Sequence, residues 1–206
     1  GYGRIDVINK NPEQRGLLLD SGLRAMLVGI ETLHPIASKE VGKGLHPEKL
    51  KETLFYLKET WKNKVVLTGS FIIGLPGESE ESIWKTVEWL QSPDCPLDEA
   101  IFSPLNIRTI VDDKDAPMSR IAKNPAKYGY TLNSFVSGTG VSSHGPHWTN
   151  EFMDKIRAEQ LTKEIQSLFL KIKPVGNWIS YSRLRNLGYS HEQIISKKAD
   201  EKFIIE

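Results

Sequence analysis

The sequence predicts an α/β protein built on a parallel β-sheet. Over the first two thirds of the 206 residues, short apolar segments alternate with amphipathic segments at helical spacing. Strands separated by helices are typical of right-handed β-α-β units, which produce parallel sheets. The apolar segments are apolar on both sides, as strands buried inside a parallel sheet are. Four such strands are too few to close an eight-stranded barrel, so we expect an open sheet or further strands upstream.

Three helices are predicted between four strands. The strand candidates are residues 4–8, 23–30, 65–73 and 100–107. Asn11 and Pro12 are typical of the start of a helix, and the leucines at 17–19 supply the apolar side of that first helix. Pro47 begins the second helix, and Ser79 is predicted to cap the third. The apolar side chains at helical spacing in the second and third helices are Leu50, Leu54, Leu57, Trp61, Ile83, Val87 and Leu90.

The character of the sequence changes after residue 108. Residues 109–150 are rich in glycine, proline and aspartate, and so long an irregular segment is typical of an active-site cover. Residues 152–172 are predicted to form a long amphipathic helix, and residues 177–198 one or two short helices. The predicted organisation is therefore a (βα) part at 1–108, a cover at 109–150 and a helical C-terminal extension at 151–206.

The composition excludes several classes of protein. The chain has 27 lysines and arginines against 26 acidic residues, so it has no strong field to attract nucleic acid or an anionic membrane. Cys95 is the one cysteine, which excludes a disulfide framework within the chain and a metal site that needs several of its cysteines. His144 and His147 lie in a loop and would need a further ligand, so we predict no metal site. The sequence starts without Met and has no signal segment, so we expect a cytoplasmic fragment of a longer protein.

Polar residues lie at the ends of the predicted strands. They are Asp6, Glu31, Ser70, and either Asn106 or Arg108. Because the carboxyl ends of parallel strands share one edge of a sheet, we expect these side chains to converge there as a binding site. Any one of them alone is explained equally well as a loop cap or a solvated side chain.

Three short strings stand at these strand ends. In the string 29–32, Gly29 permits close approach of a ligand, and Glu31 can accept hydrogen bonds from a ribose or an amine or pair with a lysine. The string 42–44 places Lys43 between two glycines, which favours either an anion contact or a solvated turn. The string 71–78 is the most specific, with glycines and a proline that fix a tight strand-to-helix turn.

In this order, these strings resemble radical S-adenosylmethionine (radical SAM) enzymes. The subgroup that they resemble is related to coproporphyrinogen III dehydrogenase and to cobalamin-dependent radical enzymes. The resemblance implies the second half of a TIM-like (βα) barrel with parallel strands, followed by a mainly helical extension. Residues 4–8 with 11–13, 29–32 with 41–44, 71–78 and 104–107 resemble the third to sixth barrel strands and their loops, and residues 122–130 and 148–150 resemble the segment after the barrel.

The resemblance also implies roles for individual residues. Glu31 takes the place of the group that contacts the ribose or methionyl part of SAM, and Lys43 takes that of a basic residue facing its carboxylate. Ser70 stands where some relatives have an aspartate for the ribose hydroxyls. The other residues implied in cofactor binding are Gly74 and Pro76 beside the adenine, Arg4 and Asp6 toward SAM or substrate, and Asn106 at the sixth strand.

The implied cofactors are SAM, a [4Fe–4S] cluster and, in part of the subgroup, cobalamin. The implied reaction is reductive cleavage of SAM at the cluster, followed by hydrogen abstraction from a small-molecule substrate. The three-cysteine motif that ligates the cluster is absent, so we expect this chain to need the missing N-terminal half of the same protein for radical chemistry. Two alternatives stay open: a truncated barrel acting as a binding or scaffold module, and an unrelated (βα)-barrel enzyme acting on a sugar phosphate.

Overall fold

The fold is built on a four-stranded parallel sheet. The computed structural model describes residues 1–62, 64–107, 120–133, 147–169, 178–190 and 192–194. The strands lie side by side in chain order, with helices between them, as in part of a TIM-like barrel. They are β1 (Tyr2–Gly3), β2 (Ala25–Glu31), β3 (Val66–Ile73) and β4 (Glu99–Pro104). The predicted α/β class with parallel strands is therefore confirmed.

The described helices cover this sheet, and an antiparallel hairpin follows it. The helices are α1 (Ile5–Lys10), α2 (Gln14–Asp20), α3 (Pro35–Glu40), α4 (Pro47–Trp61), α5 (Glu80–Gln91), α6 (Arg120–Lys123), α7 (Lys155–Phe169) and α8 (Trp178–Asn186). The hairpin consists of β5 (Thr131–Asn133) and β6 (His147–Thr149), and a 3-10 helix (Pro125–Tyr128) precedes it. The predicted cover thus holds regular elements where it is described, and the proposed domain boundaries stay predictions.

The prediction of a strand at residues 4–8 is wrong. The strand there is Tyr2–Gly3, which pairs with Leu27 and Val28 of β2. Helix α1 begins at Ile5, and its two buried residues, Ile5 and Ile8, lie three positions apart. That spacing places both side chains on one helical face, packed in the core. Arg4 and Asp6 therefore lie at the start of a helix rather than along a strand.

The helix predictions succeed where the apolar stripe is long. Pro47 begins α4, the Ser79 hydroxyl caps α5 by accepting from the Ser82 N–H, and all seven predicted stripe residues of these helices are buried. The short helix α2 differs, because Leu17 is 64% exposed and none of its residues is fully buried. Helix α3 was not predicted, although two local signals mark its start. Pro35 occupies the first helical position, and the His34 imidazole caps the helix by accepting from the Ala37 N–H.

The two faces of the sheet differ in polarity. One face carries Val28, Ile30, Leu67, Phe71 and other core side chains, and we call it the outer face because helices cover it. The opposite, inner face places Ser70 beside Gly29 on one side and beside Ile101 on the other. Side chains alternate between faces along a strand, so small and polar residues of β2 and β3 share this inner face.

Helix α7 covers the far edge of the sheet at β4. The Gln166 amide oxygen accepts from the Phe102 N–H at 2.7 Å, and its nitrogen donates to the Ala100 carbonyl at 3.3 Å. An edge strand otherwise presents unpaired backbone groups, and here a side-chain amide takes the place of a neighbouring strand. On this helix, which is predicted as amphipathic, Leu161 and Ile165 are buried, whereas Ile156 and Leu168 are half-exposed.

Candidate functional site

The end of β2 holds a charged pair folded back onto its own strand. Glu31 Oε1 lies 2.9 Å from Lys43 Nζ, and the same ammonium donates to the Gly29 carbonyl at 2.9 Å. The backbone is irregular between Gly29 and Glu31, and Glu31 has a φ of +67°. A Cβ atom at position 29 would lie 2.8 Å from Glu31 Oε1, so glycine leaves the space that this carboxylate occupies.

Both members of this pair remain accessible. The Lys43 and Glu31 side chains are 27% and 22% exposed. A left-handed backbone costs about 1–3 kcal/mol for a residue other than glycine, and such strain concentrates at binding sites. The strand end therefore offers an anionic acceptor and a cationic donor side by side, in a position that a ligand can reach.

Ser70 joins this pair on the inner face. Ser70 on β3 pairs in register with Gly29 on β2, over which the Glu31 carboxylate is folded. The Ser70 side chain is partly exposed. We call the group Gly29, Glu31, Lys43 and Ser70 the polar site. These four come from two neighbouring strands and the loop after one of them, so the structure brings three of the predicted site residues together.

Arg4 and Asp6 pair with each other beside the polar site. Their guanidinium and carboxylate are 2.8 Å apart, and this contact lowers the pKa of the Asp6 carboxyl. The Asp6 carboxylate lies against the loop that carries Lys43, because a Cβ atom at Gly44 would be 3.0 Å from Asp6 Oδ2. The Arg4 side chain is 70% exposed. Asp6 therefore borders the site, whereas Arg4 extends into solvent.

Gly74 faces the hairpin that follows the sheet. Its φ is +95°, and a Cβ atom there would collide with Cη2 of Trp148. Glycine at this position is thus explained by the packing of Trp148. Pro76 is also buried, two residues along the same turn, and Asn106 after β4 is exposed. The other strand-end candidate, Arg108, lies outside the described residues.

Glu78 is a buried carboxyl that the sequence analysis did not single out. It is 3% exposed, and its Oε1 accepts a hydrogen bond from the Thr32 hydroxyl. Oε2 is buried without a hydrogen-bond partner among the described residues. Burial raises the pKa of the Glu78 carboxyl to about 7. A glutamate just before a helix cap is usually solvated, so no local signal predicts this burial.

Two aromatic residues of the cover dock on the same turn. The Tyr130 hydroxyl donates to the Gly74 carbonyl at 2.6 Å, and Trp148 Nε1 donates to the Leu105 carbonyl at 2.9 Å. The two rings meet edge to face at 5.4 Å between centroids. Burial raises the pKa of the Tyr130 hydroxyl, and the nearby Glu78 charge adds to this. The described part of the cover is therefore anchored at the ends of β3 and β4.

A second carboxyl, partly buried, lies at the opposite end of the inner face. Glu99, at the start of β4, accepts from the Thr68 hydroxyl at 3.2 Å, and burial raises its pKa. Helix α8 reaches this end of the sheet, where the Asn186 side-chain oxygen accepts from the N–H groups of Arg24 and Ala25. This end holds the amino termini of the strands, where the residues of such folds serve stability.

The described residues contain no group of three or more histidine, cysteine, aspartate or glutamate side chains placed to hold a metal ion. His147 is exposed on β6, and His144 lies outside the described residues. Within the same described part of the chain, no helix is long and apolar enough to cross a membrane.

Residues 4–90 match the family model of the Radical SAM superfamily. The matched segment runs from the residue before α1 to the last turn of α5, and it contains the whole polar site. No curated protein matches the chain. The predicted resemblance to this superfamily is therefore supported over residues 4–90, and a domain of this superfamily implies SAM-cleaving radical chemistry in general. The subgroup, its cobalamin and the fragment status stay predictions.

The superfamily generally uses SAM together with a [4Fe–4S] cluster. Cysteine thiolates ligate such clusters, and this chain has the single cysteine Cys95, which follows the matched segment. The residues present therefore do not fit the cluster. They do fit a zwitterionic ligand, because the polar site offers charges of both signs on side chains that are partly exposed.

Proposed function

We propose that this protein binds SAM at the carboxyl ends of β2 and β3 and serves radical SAM catalysis with that site. The observation that carries the proposal is the polar site itself. It lies within the segment that matches the superfamily, at the edge of a parallel sheet where ligands bind. Among the described residues, it also combines a strained backbone with an accessible ion pair.

Each residue of the polar site has a role in this proposal. Lys43 exchanges its contact with Glu31 for the carboxylate of the ligand. Glu31 then accepts hydrogen bonds from the ribose hydroxyls or the ammonium group. Because the ligand supplies charges of both signs, the exchange leaves neither Glu31 nor Lys43 unpaired, which keeps the electrostatic cost of binding low.

Ser70 and Gly29 complete the binding surface. The Ser70 hydroxyl donates to or accepts from the ribose, and the lack of a side chain at Gly29 leaves room for the Glu31 carboxylate at the strand end. The chemistry that SAM would supply there, hydrogen abstraction from a substrate, would need a reduced cluster. Thiolates from outside this sequence must hold that cluster. The part of this chain is to bind and orient the ligand for a small-molecule substrate.

Calorimetric titration of the purified protein with SAM tests this function. We expect Lys43→Met to weaken SAM binding roughly 10- to 100-fold, because a hydrogen bond to a charged group contributes about 1.5–3 kcal/mol. Lys85→Met is the matched control. Lys85 forms an ion pair with Glu81 at 2.7 Å, but both residues lie exposed on α5. This control removes the same charge and should leave SAM affinity unchanged.

Two outcomes would contradict the proposal. One is a wild-type protein that does not bind SAM. The other is an equal loss of affinity in Lys43→Met and Lys85→Met, which would show that net charge matters rather than the polar site.

A further inference from the structure

We propose that Tyr130 is a positioning residue that fixes the orientation of the Glu31 carboxylate from a distance, through the turn at residues 74–78. This inference rests on the proposed function for the identity of the ligand. Tyr130 lies outside the segment that matches the superfamily, so the contact comes from the cover and not from the barrel strands.

The first link runs from the cover to the turn. The Tyr130 hydroxyl donates to the Gly74 carbonyl across 56 positions of sequence, with both groups buried. Gly74 has a left-handed φ, so its carbonyl orientation depends on contacts that hold this backbone in place. Trp148 fills the space beside Gly74 that a side chain would otherwise occupy, and its indole is bonded to the next strand end. The hairpin and the turn thus fit each other at two adjacent points.

The second link runs from the turn to the polar site. Glu78, at the end of the turn, accepts from the hydroxyl of Thr32. Thr32 follows Glu31 directly, and its oxygen also accepts from the His34 N–H at 2.8 Å. Thr32 is 2% exposed, so this contact is shielded from water. The backbone that carries Glu31 is therefore tied on its carboxyl side to the turn that Tyr130 holds.

The strain at Glu31 makes this tie relevant to ligand binding. A residue other than glycine keeps a φ of +67° only when its surroundings determine that conformation. Lys43 holds the side chain of Glu31, and the Thr32–Glu78 contact holds the backbone after it. If the turn at 74–78 loosens, the backbone at Glu31 is free to relax, and the Glu31 carboxylate moves away from its position over Gly29. Tyr130 acts on the ligand only through this path and does not touch it.

The variant Tyr130→Phe tests the path, because it keeps the ring and removes only the hydroxyl. Tyr128→Phe is the matched control, since Tyr128 is partly buried on the adjoining 3-10 helix. Hydrogen exchange measured by mass spectrometry reports on the turn, and calorimetric titration reports on SAM. In Tyr130→Phe we expect about fivefold faster exchange in peptides covering 30–34 and 74–78, unchanged exchange in α4, and about fivefold weaker SAM binding. Tyr128→Phe should change neither.

A second pair of variants tests the other link. Thr32→Val removes the hydroxyl that binds Glu78, and Thr32→Ser keeps it. Thr32→Val should weaken SAM binding to a similar extent as Tyr130→Phe, and Thr32→Ser should restore most of the affinity. Equal SAM affinity in Thr32→Val and Thr32→Ser would contradict this link, because the two variants differ in the hydroxyl group.

The outcomes distinguish this inference from the proposed function. A wild-type protein that does not bind SAM overturns the proposed function, whatever the exchange data show. Wild-type binding with equal affinity in Tyr130→Phe overturns the role of Tyr130 alone. Unchanged exchange at 74–78 in Tyr130→Phe also overturns it, because the turn would then not depend on the hydroxyl.

Discussion

The ends of β2 and β3 are neighbours in one sheet, but they differ in charge and in exposure to solvent. At the end of β2, Glu31 and Lys43 keep full charges in partial contact with solvent. At the end of β3, the turn at 74–78 is buried except at Gly77, and hydrogen bonds from the hydroxyls of Thr32 and Tyr130 hold it. The end of β2 therefore provides an ion pair that can exchange its partner for a ligand, whereas the end of β3 provides a turn whose conformation is held in place.

The energetics of the two ends differ for the same reason. A partly exposed ion pair is screened by water and contributes little to stability, so it can open for a ligand at low cost. A buried polar group is costly to leave without a partner, so the contacts around the turn resist change. Three experiments on the stability of the protein test this contrast.

Trp148→Ala should cause the largest loss of stability. The side chain is fully buried, packs against Gly74 and Tyr130, and donates to the Leu105 carbonyl. Truncating a large buried aromatic residue costs about 3–5 kcal/mol in the free energy of unfolding. Urea unfolding measures the change, with Trp84→Ala as the control, because Trp84 on α5 is only partly buried. Equal losses in the two variants would show that the end of β3 is not specially packed.

The buried Glu78 carboxyl should make stability fall as pH rises. Its pKa is about 7 in the folded protein, above that of an ordinary glutamate, so the folded state binds a proton more tightly than the unfolded state. The contribution is fully present below about pH 4.5 and is lost as pH rises through 7, on the order of 3 kcal/mol in all. Urea unfolding from pH 5 to 8 should show this decline, and it should be flatter in Glu78→Gln. If the free energy of unfolding has the same dependence on pH in both proteins, the prediction is wrong, because ionisation of Glu78 would then not affect stability.

Lys43→Gln should change stability least. The pair with Glu31 is about a quarter exposed, so its loss should cost less than about 1 kcal/mol in the free energy of unfolding. The same urea experiment at pH 7 measures this value beside Trp148→Ala. A loss as large as that of Trp148→Ala would mean that the end of β2 is a structural element, and the contrast between the strand ends would fail.

The core of the fold was predictable because its signals are local. The stripe from Leu50 to Trp61 and the caps at Pro47 and Ser79 are set by residues within a few positions of each other. Residues 4–8 were mistaken for a strand because a run of five with three apolar residues fits either structure. What decides there is the pairing of Tyr2 and Gly3 with β2, which is a contact at long range.

The polar site was predictable in part for the same reason. Parallel topology places strand ends together, so Glu31 and Ser70 were expected at one edge, and Lys43 reaches Glu31 from the loop between α3 and α4. Whether each predicted residue contacts a ligand stays a prediction. The glycine at 74 was expected to serve a ligand, whereas the structure gives it a packing reason in Trp148.

The alternation of strands and helices and the chemistry available at each strand end can be read from the sequence, since both depend on residue type and short spacing. The burial of Glu78 and the packing of Tyr130 and Trp148 over Gly74 arise only in the folded chain. Burial, and with it the pKa of a carboxyl and the value of a hydrogen bond, depends on chain segments more than forty positions away.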